Sequence, residues 1–213
     1  MSGRDPTARS VEDGTPAASG PGTLLARRAL ATWSAVGGAA WALLTLPLVA
    51  VGWSWPVVDA VARAEPYRSV AARLDDPYVT VGALAGLSFL ALGVAVLVGL
   101  RPAGWGASAL AVATLAGAVV SPVSYLGTPE DSPLHAFWGA EVWVLLAMGV
   151  AGVAAALTAG PAWHRWARVL LGCTVVVLGV GMVVLGYYPH GCLVAFGVAL
   201  VVLVRRGRVD RAS

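Results

Sequence analysis

The sequence predicts an all-α membrane protein, a polytopic helical bundle with six transmembrane helices, and three observations lead to this prediction. Of the 213 residues, 58% are hydrophobic and only 12% are charged, whereas soluble domains carry roughly 25% charged residues. The mean hydropathy is +0.78, and the apolar residues fall in runs close to the roughly 20 that a helix needs to cross a bilayer. All 14 basic residues are arginines, and they lie in short clusters between these runs.

Six apolar runs are interpreted as spans. Their predicted bounds are Leu30–Trp53, Pro77–Leu100, Ala103–Tyr125, Pro133–Leu157, Val169–Tyr188 and Gly191–Val204. The sixth run is the shortest, and it crosses the membrane only if Arg205 and Arg206 extend their charged ends to the interface. A re-entrant hairpin is the alternative for the fifth and sixth runs.

The arginines predict the orientation of the spans. Eleven of the 14 precede the first span, lie between spans two and three or four and five, or follow span six. Only Arg63, Arg68 and Arg73 lie in the loop after span one. Because arginine is enriched in cytoplasmic loops, both chain ends are predicted in the cytoplasm of a multi-pass cell-membrane protein. The net charge of +3 is spread among the loops, which argues against a nucleic-acid partner.

Composition also predicts three regions along the chain. Residues 1–26 are polar and are expected to be a disordered cytoplasmic tail. Residues 27–206 form the six-helix transmembrane domain, and residues 207–213 form a second cytoplasmic tail. The first outer loop is expected to hold two short amphipathic helices, opened by Pro56 and Pro66, that cap the bundle or act as a lid.

Acidic residues and histidines concentrate on the predicted outer side. The residues concerned are Asp59, Glu65, Asp75, Asp76, Glu130, Asp131, Glu141, His135 and His190. A polar site would therefore open outward. Asp76 and Ser132 directly precede prolines that open spans, so both are expected to cap helix N-termini.

Glu141 is the principal candidate for chemistry, because an ionisable residue inside a span usually faces the bundle interior or a wet cavity. As a catalytic residue it would act as a general acid, with His135 or Tyr188 assisting. The alternative is a structural glutamate at the outer interface. Around it, the candidate ligand-binding residues are Tyr125, Tyr188, His190 and Asp131.

No metal site or cofactor is predicted. His135 precedes Glu141 by six positions, about 120° around a helix, so the two do not share a face as metal-ligand pairs do. Cys173 and Cys192 are too few for a zinc site, and no nucleotide-binding, zinc-hydrolase or nucleophile-elbow motif occurs.

The stretch Thr128-Pro129-Glu130-Asp131-Ser132-Pro133-Leu134-His135 and the loop leading into Asp76-Pro77 carry a resemblance. With these features the layout over residues 27–206 resembles small six-span bacterial membrane proteins of unknown function. This resemblance implies the fold and no activity. The Pro-Glu-Asp stretch is similar to acidic motifs of membrane-embedded isoprenoid cyclases, from which no residue role is transferred.

Three functions stay open at this point. The first is a membrane protein that binds a lipid, a small apolar molecule or a partner protein in an outward polar pocket. The second is a membrane-embedded enzyme acting on a lipid or isoprenoid with Glu141 as acid. The third is a transporter or channel subunit, which would normally show broken helices or several charges within the membrane.

Overall fold

The computed structural model describes residues 21–50 and 55–209, and their regular structure is helical. Apart from one isolated bridge between Trp163 and Arg208, this part of the chain contains no β-pairing. The α-helices are α1 Pro21–Val49, α2 Pro56–Arg63, α3 Tyr67–Ala71, α4 Pro77–Ala83, α5 Ala85–Gly99, α6 Trp105–Leu126, α7 Glu141–Thr158, α8 Arg165–Gly172, α9 Thr174–Leu185 and α10 His190–Arg206.

Four helical stretches are long and apolar enough to cross a membrane. They are Gly22–Val49, Pro77–Gly99, Trp105–Leu126 and His135–Thr158. A fifth arises if α8 and α9, which are bent by 64° at their junction, are one broken span. The 17 residues of α10 extend only about 25 Å at 1.5 Å per residue. The described chain therefore contains four to five such helices, one or two fewer than the six predicted.

The predicted boundaries change in several places. The helix α1 begins at Pro21, so residues 21–26, predicted as tail, are helical. Three parts of the predicted layout lie outside the described residues: residues 1–20 of that tail, Trp53 at the predicted end of span one, and residues 210–213, which include Arg211.

The fourth predicted span is not one regular α-helix. Its first part is a 3-10 turn over His135–Phe137, and Gly139 has a φ of 78°. A left-handed residue cannot continue a right-handed helix, so α7 begins only after it. Glu141 is consequently the first residue of α7, and it lies within the candidate span His135–Thr158.

Of the two residues predicted to cap helices, only Asp76 lies at a helix start. Asp76 accepts a hydrogen bond from the Val79 amide at 3.0 Å and caps α4 as predicted. Ser132 accepts one from the Leu134 amide at 3.2 Å and donates to the Leu126 carbonyl at 2.8 Å. Its cap therefore stabilises a turn and not a helix start.

Helix ends that carry arginine meet at one end of the bundle, which we call the arginine end. The Arg28 side chain donates to the carbonyls of Val204 and Arg205, both at 3.1 Å, which joins the start of α1 to the end of α10. The Thr158 hydroxyl at the end of α7 lies 3.0 Å from the Ala103 carbonyl and accepts a hydrogen bond from the Gly106 amide of α6 at 3.3 Å. The His164 amide donates to the Gly207 carbonyl at 2.9 Å.

The opposite end is formed by the starts of α4, α7 and α10 and by the end of α6, and we call it the tyrosine end. The loop helix α2 is attached there, because the Trp55 indole donates to the Val183 carbonyl near the end of α9 at 2.9 Å. The chain thus runs alternately between the two ends, and α10 returns it to the arginine end.

Small residues let the helices approach closely. Gly82 lies against the Tyr125 ring, and Gly86 lies against the Ala118 carbonyl and Pro122, so both glycines of this pair face α6. Close approach of this kind is how helices associate in lipid, where burial of apolar surface gives little driving force.

Candidate functional site

Four of the five tyrosines in the chain gather at the tyrosine end with one histidine and one glutamate. We call this group the tyrosine cluster. Its members are Tyr78, Tyr125, Tyr187, Tyr188, His190 and Glu141. They come from the start of α4, the end of α6, the start of α7, and the turn leading into α10, so the cluster exists only when these four segments are packed together.

Tyr125 lies at the centre of the cluster. It is 2% exposed, and its hydroxyl is 3.1 Å from the Tyr187 hydroxyl, a hydrogen bond in which either oxygen can donate. Its ring centre is 5.2 Å from that of Tyr78 and 6.4 Å from that of His190. These are ordinary separations for tilted and edge-on aromatic pairs.

His190 is the first residue of α10 and is fully buried. Its ring stands edge-on to Tyr125 and is tilted against Tyr187 with 5.8 Å between centres. Neither ring nitrogen has a hydrogen-bond partner among the described residues. A neutral imidazole offers one donor and one acceptor, and here the ring packs against the aromatic rings of Tyr125 and Tyr187.

Glu141 is buried at 5% exposure, where α7 begins. Its carboxylate lies within electrostatic range of the hydroxyls of Tyr125 and Tyr188. The Oε2 atom has no hydrogen-bond partner in the described part of the chain. The positive end of the α7 dipole favours a negative charge at this position.

The structure separates the other two predicted site residues from this group. His135 is exposed, its Nδ1 lies 2.9 Å from the Gly127 carbonyl, and its ring stacks on Trp138. Asp131 is also exposed. Over residues 21–50 and 55–209, no hydrogen bond, ion pair or ring contact joins either residue to the tyrosine cluster.

Ser121 and Ser124, near the end of α6, are buried but are not hydrogen-bonded to Glu141. The Ser124 hydroxyl instead accepts a hydrogen bond from the Gly139 amide at 2.8 Å. This bond holds the segment before α7 against α6, and it therefore positions Glu141 indirectly.

Sequence reasoning did not identify Tyr78 and Tyr187 as site residues. A signal was present, because nearly all the tyrosines fall next to predicted outer helix ends. Hydropathy patterns place such residues at one membrane depth but do not say which of them share a neighbour.

Charges in the loop helices are paired with one another. Arg63 lies 3.7 Å from Asp59, and Arg68 lies 2.7 Å from Glu65. Hydrogen bonds from Ser69 and Arg68 hold the pKa of the Glu65 carboxyl below its usual value. These exposed pairs organise α2 and α3 and contribute little to stability.

Among the described residues, no group of three or more histidine, cysteine or acidic side chains could hold a metal ion. Comparisons with protein families, with curated proteins and with solved structures find no match. A functional proposal must therefore rest on the geometry of the chain itself.

Proposed function

We propose that the protein is a multi-pass cell-membrane protein with six crossings, whose arginine end faces the cytoplasm and whose tyrosine end faces outward. Eight described arginines lie at the arginine end, and only three lie in and beside α2 and α3. The positive-inside rule then gives this orientation. The short helix α10 completes the sixth crossing because Arg205 and Arg206, in its last turn, can reach the interface.

A reporter fusion tests the orientation. A reporter that is active only in the cytoplasm, fused after Arg211, is expected to be active, and the same reporter inserted between α2 and α3 is expected to be silent. Extracytoplasmic placement of the Arg211 fusion would overturn the topology.

We propose that the tyrosine cluster binds a lipid or a small apolar molecule that carries a polar group. One observation carries this proposal: three buried polar atoms in one cluster, Glu141 Oε2 and both ring nitrogens of His190, lack partners among the described residues. Leaving a buried donor or acceptor unsatisfied costs about 1–3 kcal/mol. Because most buried polar groups in native proteins are hydrogen-bonded, such a group calls for an explanation.

The surroundings indicate the chemistry of the ligand. The aromatic rings of Tyr78, Tyr125 and Tyr187 offer apolar contact, and hydroxyls, an imidazole and a carboxylate offer hydrogen bonds. Sites for small molecules commonly combine mostly apolar walls with a few converging polar groups. A ligand with an apolar body and a hydroxyl or carbonyl group fits both requirements.

The test is mass spectrometry of small molecules that co-purify with the detergent-solubilised protein. Wild type is compared with Glu141→Gln and, as a matched control, with Glu130→Gln, because Glu130 is an exposed acid outside the cluster. A molecule retained by wild type and by Glu130→Gln but lost from Glu141→Gln is the expected result. Identical profiles with equal melting temperatures would overturn the proposal and direct the search to a partner protein.

The second candidate is an enzyme acting on a lipid or isoprenoid. The burial of Glu141 within electrostatic range of the Tyr188 hydroxyl favours it, since proton transfer needs two proton-carrying groups in one site. Chemical conversion of a co-purified lipid by wild type, lost in a folded Glu141→Gln variant, would establish catalysis. Retention of the unchanged lipid would leave binding as the function.

A further inference from the structure

A groove lies at the arginine end, at the opposite end of the bundle from the tyrosine cluster. An open groove of about 680 Å³ runs between the end of α7 and the helix α8. Its lining includes Val153, Leu157, Trp163, Arg165, Arg168 and Val169. None of these residues belongs to the tyrosine cluster, so this groove is separate from the site of the proposed function.

The groove is charged at one end and apolar along its walls. Arg165 and Arg168 lie three positions apart on α8, so they occupy neighbouring positions on that helix. Both line the groove, and neither pairs with an acid among the described residues. The two arginines therefore present ten N–H donors with no anionic partner within that part of the chain.

The walls consist of apolar side chains that are open to the surroundings. Leu157 is 77% exposed, Val169 is 59% exposed and Val153 is 44% exposed. On a chain whose outer surface is solvated by lipid, such exposed side chains face acyl chains. Along α7 the groove runs from Val153 toward the arginine end at Leu157, so its apolar part lies deeper in the membrane than its charged part.

Trp163 forms the aromatic part of the lining. It lines the groove and is 3% exposed, and its indole nitrogen is buried without a hydrogen-bond acceptor among the described residues. The Arg208 guanidinium lies over its ring, 5.9 Å from the centre.

We propose that this groove binds an anionic phospholipid of the leaflet at the arginine end, with its phosphate at Arg165 and Arg168 and an acyl chain along Val153 and Leu157. The charged end, the apolar walls and their order along the membrane normal match one amphiphile. Basic pockets between transmembrane helices at the cytoplasmic side are suited to anionic headgroups, and arginine binds phosphate in a bidentate manner. A soluble anion would leave the apolar walls unused.

The primary experiment is native mass spectrometry of the delipidated full chain, titrated with phosphatidylglycerol or with phosphatidylcholine of the same acyl chains. We expect tighter binding of phosphatidylglycerol. In the double variant Arg165→Gln/Arg168→Gln, its affinity should fall roughly 30-fold, from about fivefold for each arginine at an anionic surface. The control Arg205→Gln/Arg206→Gln removes equal charge at the same end but outside the groove lining, and it should retain wild-type affinity.

A second pair of variants tests the apolar wall without changing charge. Gly172 lines the groove, and a Cβ there would meet only the Ala156 Cβ, at an ordinary 3.5 Å. Gly172→Leu should therefore fold and fill the groove, which lowers phosphatidylglycerol binding. Gly179→Leu on α9, where no atom lies within 4 Å of a built Cβ, is the matched control and should bind normally.

Three outcomes would overturn the proposal. Equal affinity for the two lipids would exclude recognition of the headgroup charge. Equal losses in the two arginine double variants would indicate general attraction to the charged end. Competition by inorganic phosphate as effective as that by phosphatidylglycerol would indicate a site for a free anion and not for a lipid.

Discussion

Replacing Gly82 with alanine would place a methyl group against the ring of Tyr125 at the centre of the cluster. A Cβ built at Gly82 lies 2.7 Å from the ring Cγ and closer still to Cδ1 and Cε1. Carbon atoms pack at about 3.5–4.0 Å, so the nearest ring atoms would have to move by about 1.5 Å. Tyr125 is 2% exposed and lies against Tyr78 and His190, so little space is available for that movement.

The expected cost follows from this overlap. Overpacking of a well-packed site typically costs about 1–3 kcal/mol, and alanine recovers about 0.5–1 kcal/mol over glycine within a helix. The net destabilisation should be about 1–2 kcal/mol. At about 2–4 °C per kcal/mol for a chain of this size, the melting temperature should fall by about 2–8 °C.

The assay is thermal denaturation in a single detergent, followed by near-ultraviolet circular dichroism. Gly37→Ala on α1 is the matched control, since no atom lies within 4 Å of a Cβ built there, and its melting temperature should be unchanged or higher. In a Tyr125→Ala background the cost of Gly82→Ala should largely disappear, because residues in contact are energetically coupled. A Gly82→Ala protein that melts at or above the wild-type temperature would show that the Tyr125 ring is not tightly packed against Gly82.

Three further predictions concern other parts of the fold. Thr158→Val removes the hydroxyl that joins the end of α7 to the Ala103 carbonyl and should cost about 0.5–1.5 kcal/mol; Thr158→Ser should be nearly neutral, and equal losses in a denaturation assay would contradict this. In the folded protein a maleimide should label Cys173, which is partly exposed, much faster than the buried Cys192; equal labelling rates in detergent would argue against the packing of α10. Hydrogen bonds to its ionised form lower the pKa of Glu65, so the stabilisation of α3 is present above the unfolded pKa and is lost as the pH falls through the folded pKa. An NMR titration should show a higher Glu65 pKa in Ser69→Ala than in wild type, and no change would contradict the assigned cause.

Four of the six residues predicted for the site lie close together in the structure. Tyr125, Tyr188, His190 and Glu141 were identified from sequence because they are polar or aromatic residues at one predicted membrane depth, and the structure brings them together at one end of the bundle. His135 was predicted to assist Glu141 because both lie toward the predicted outer side of the fourth span. The left-handed Gly139 breaks the helix between them, and the exposed His135 bonds to its own loop.

Local sequence was enough to predict long apolar helices of membrane-spanning length and the concentration of arginine and acid at alternate helix ends. These properties follow from local composition and from the length that a helix needs to cross a bilayer. Three other properties depend on how distant segments pack: which helix ends meet, where helices break, and which buried atoms have no hydrogen-bond partner. Those outcomes depend on contacts between distant segments, such as Gly82 against Tyr125 and His190 against Tyr125. Such contacts arise only when backbones pack at the close distances that small residues permit.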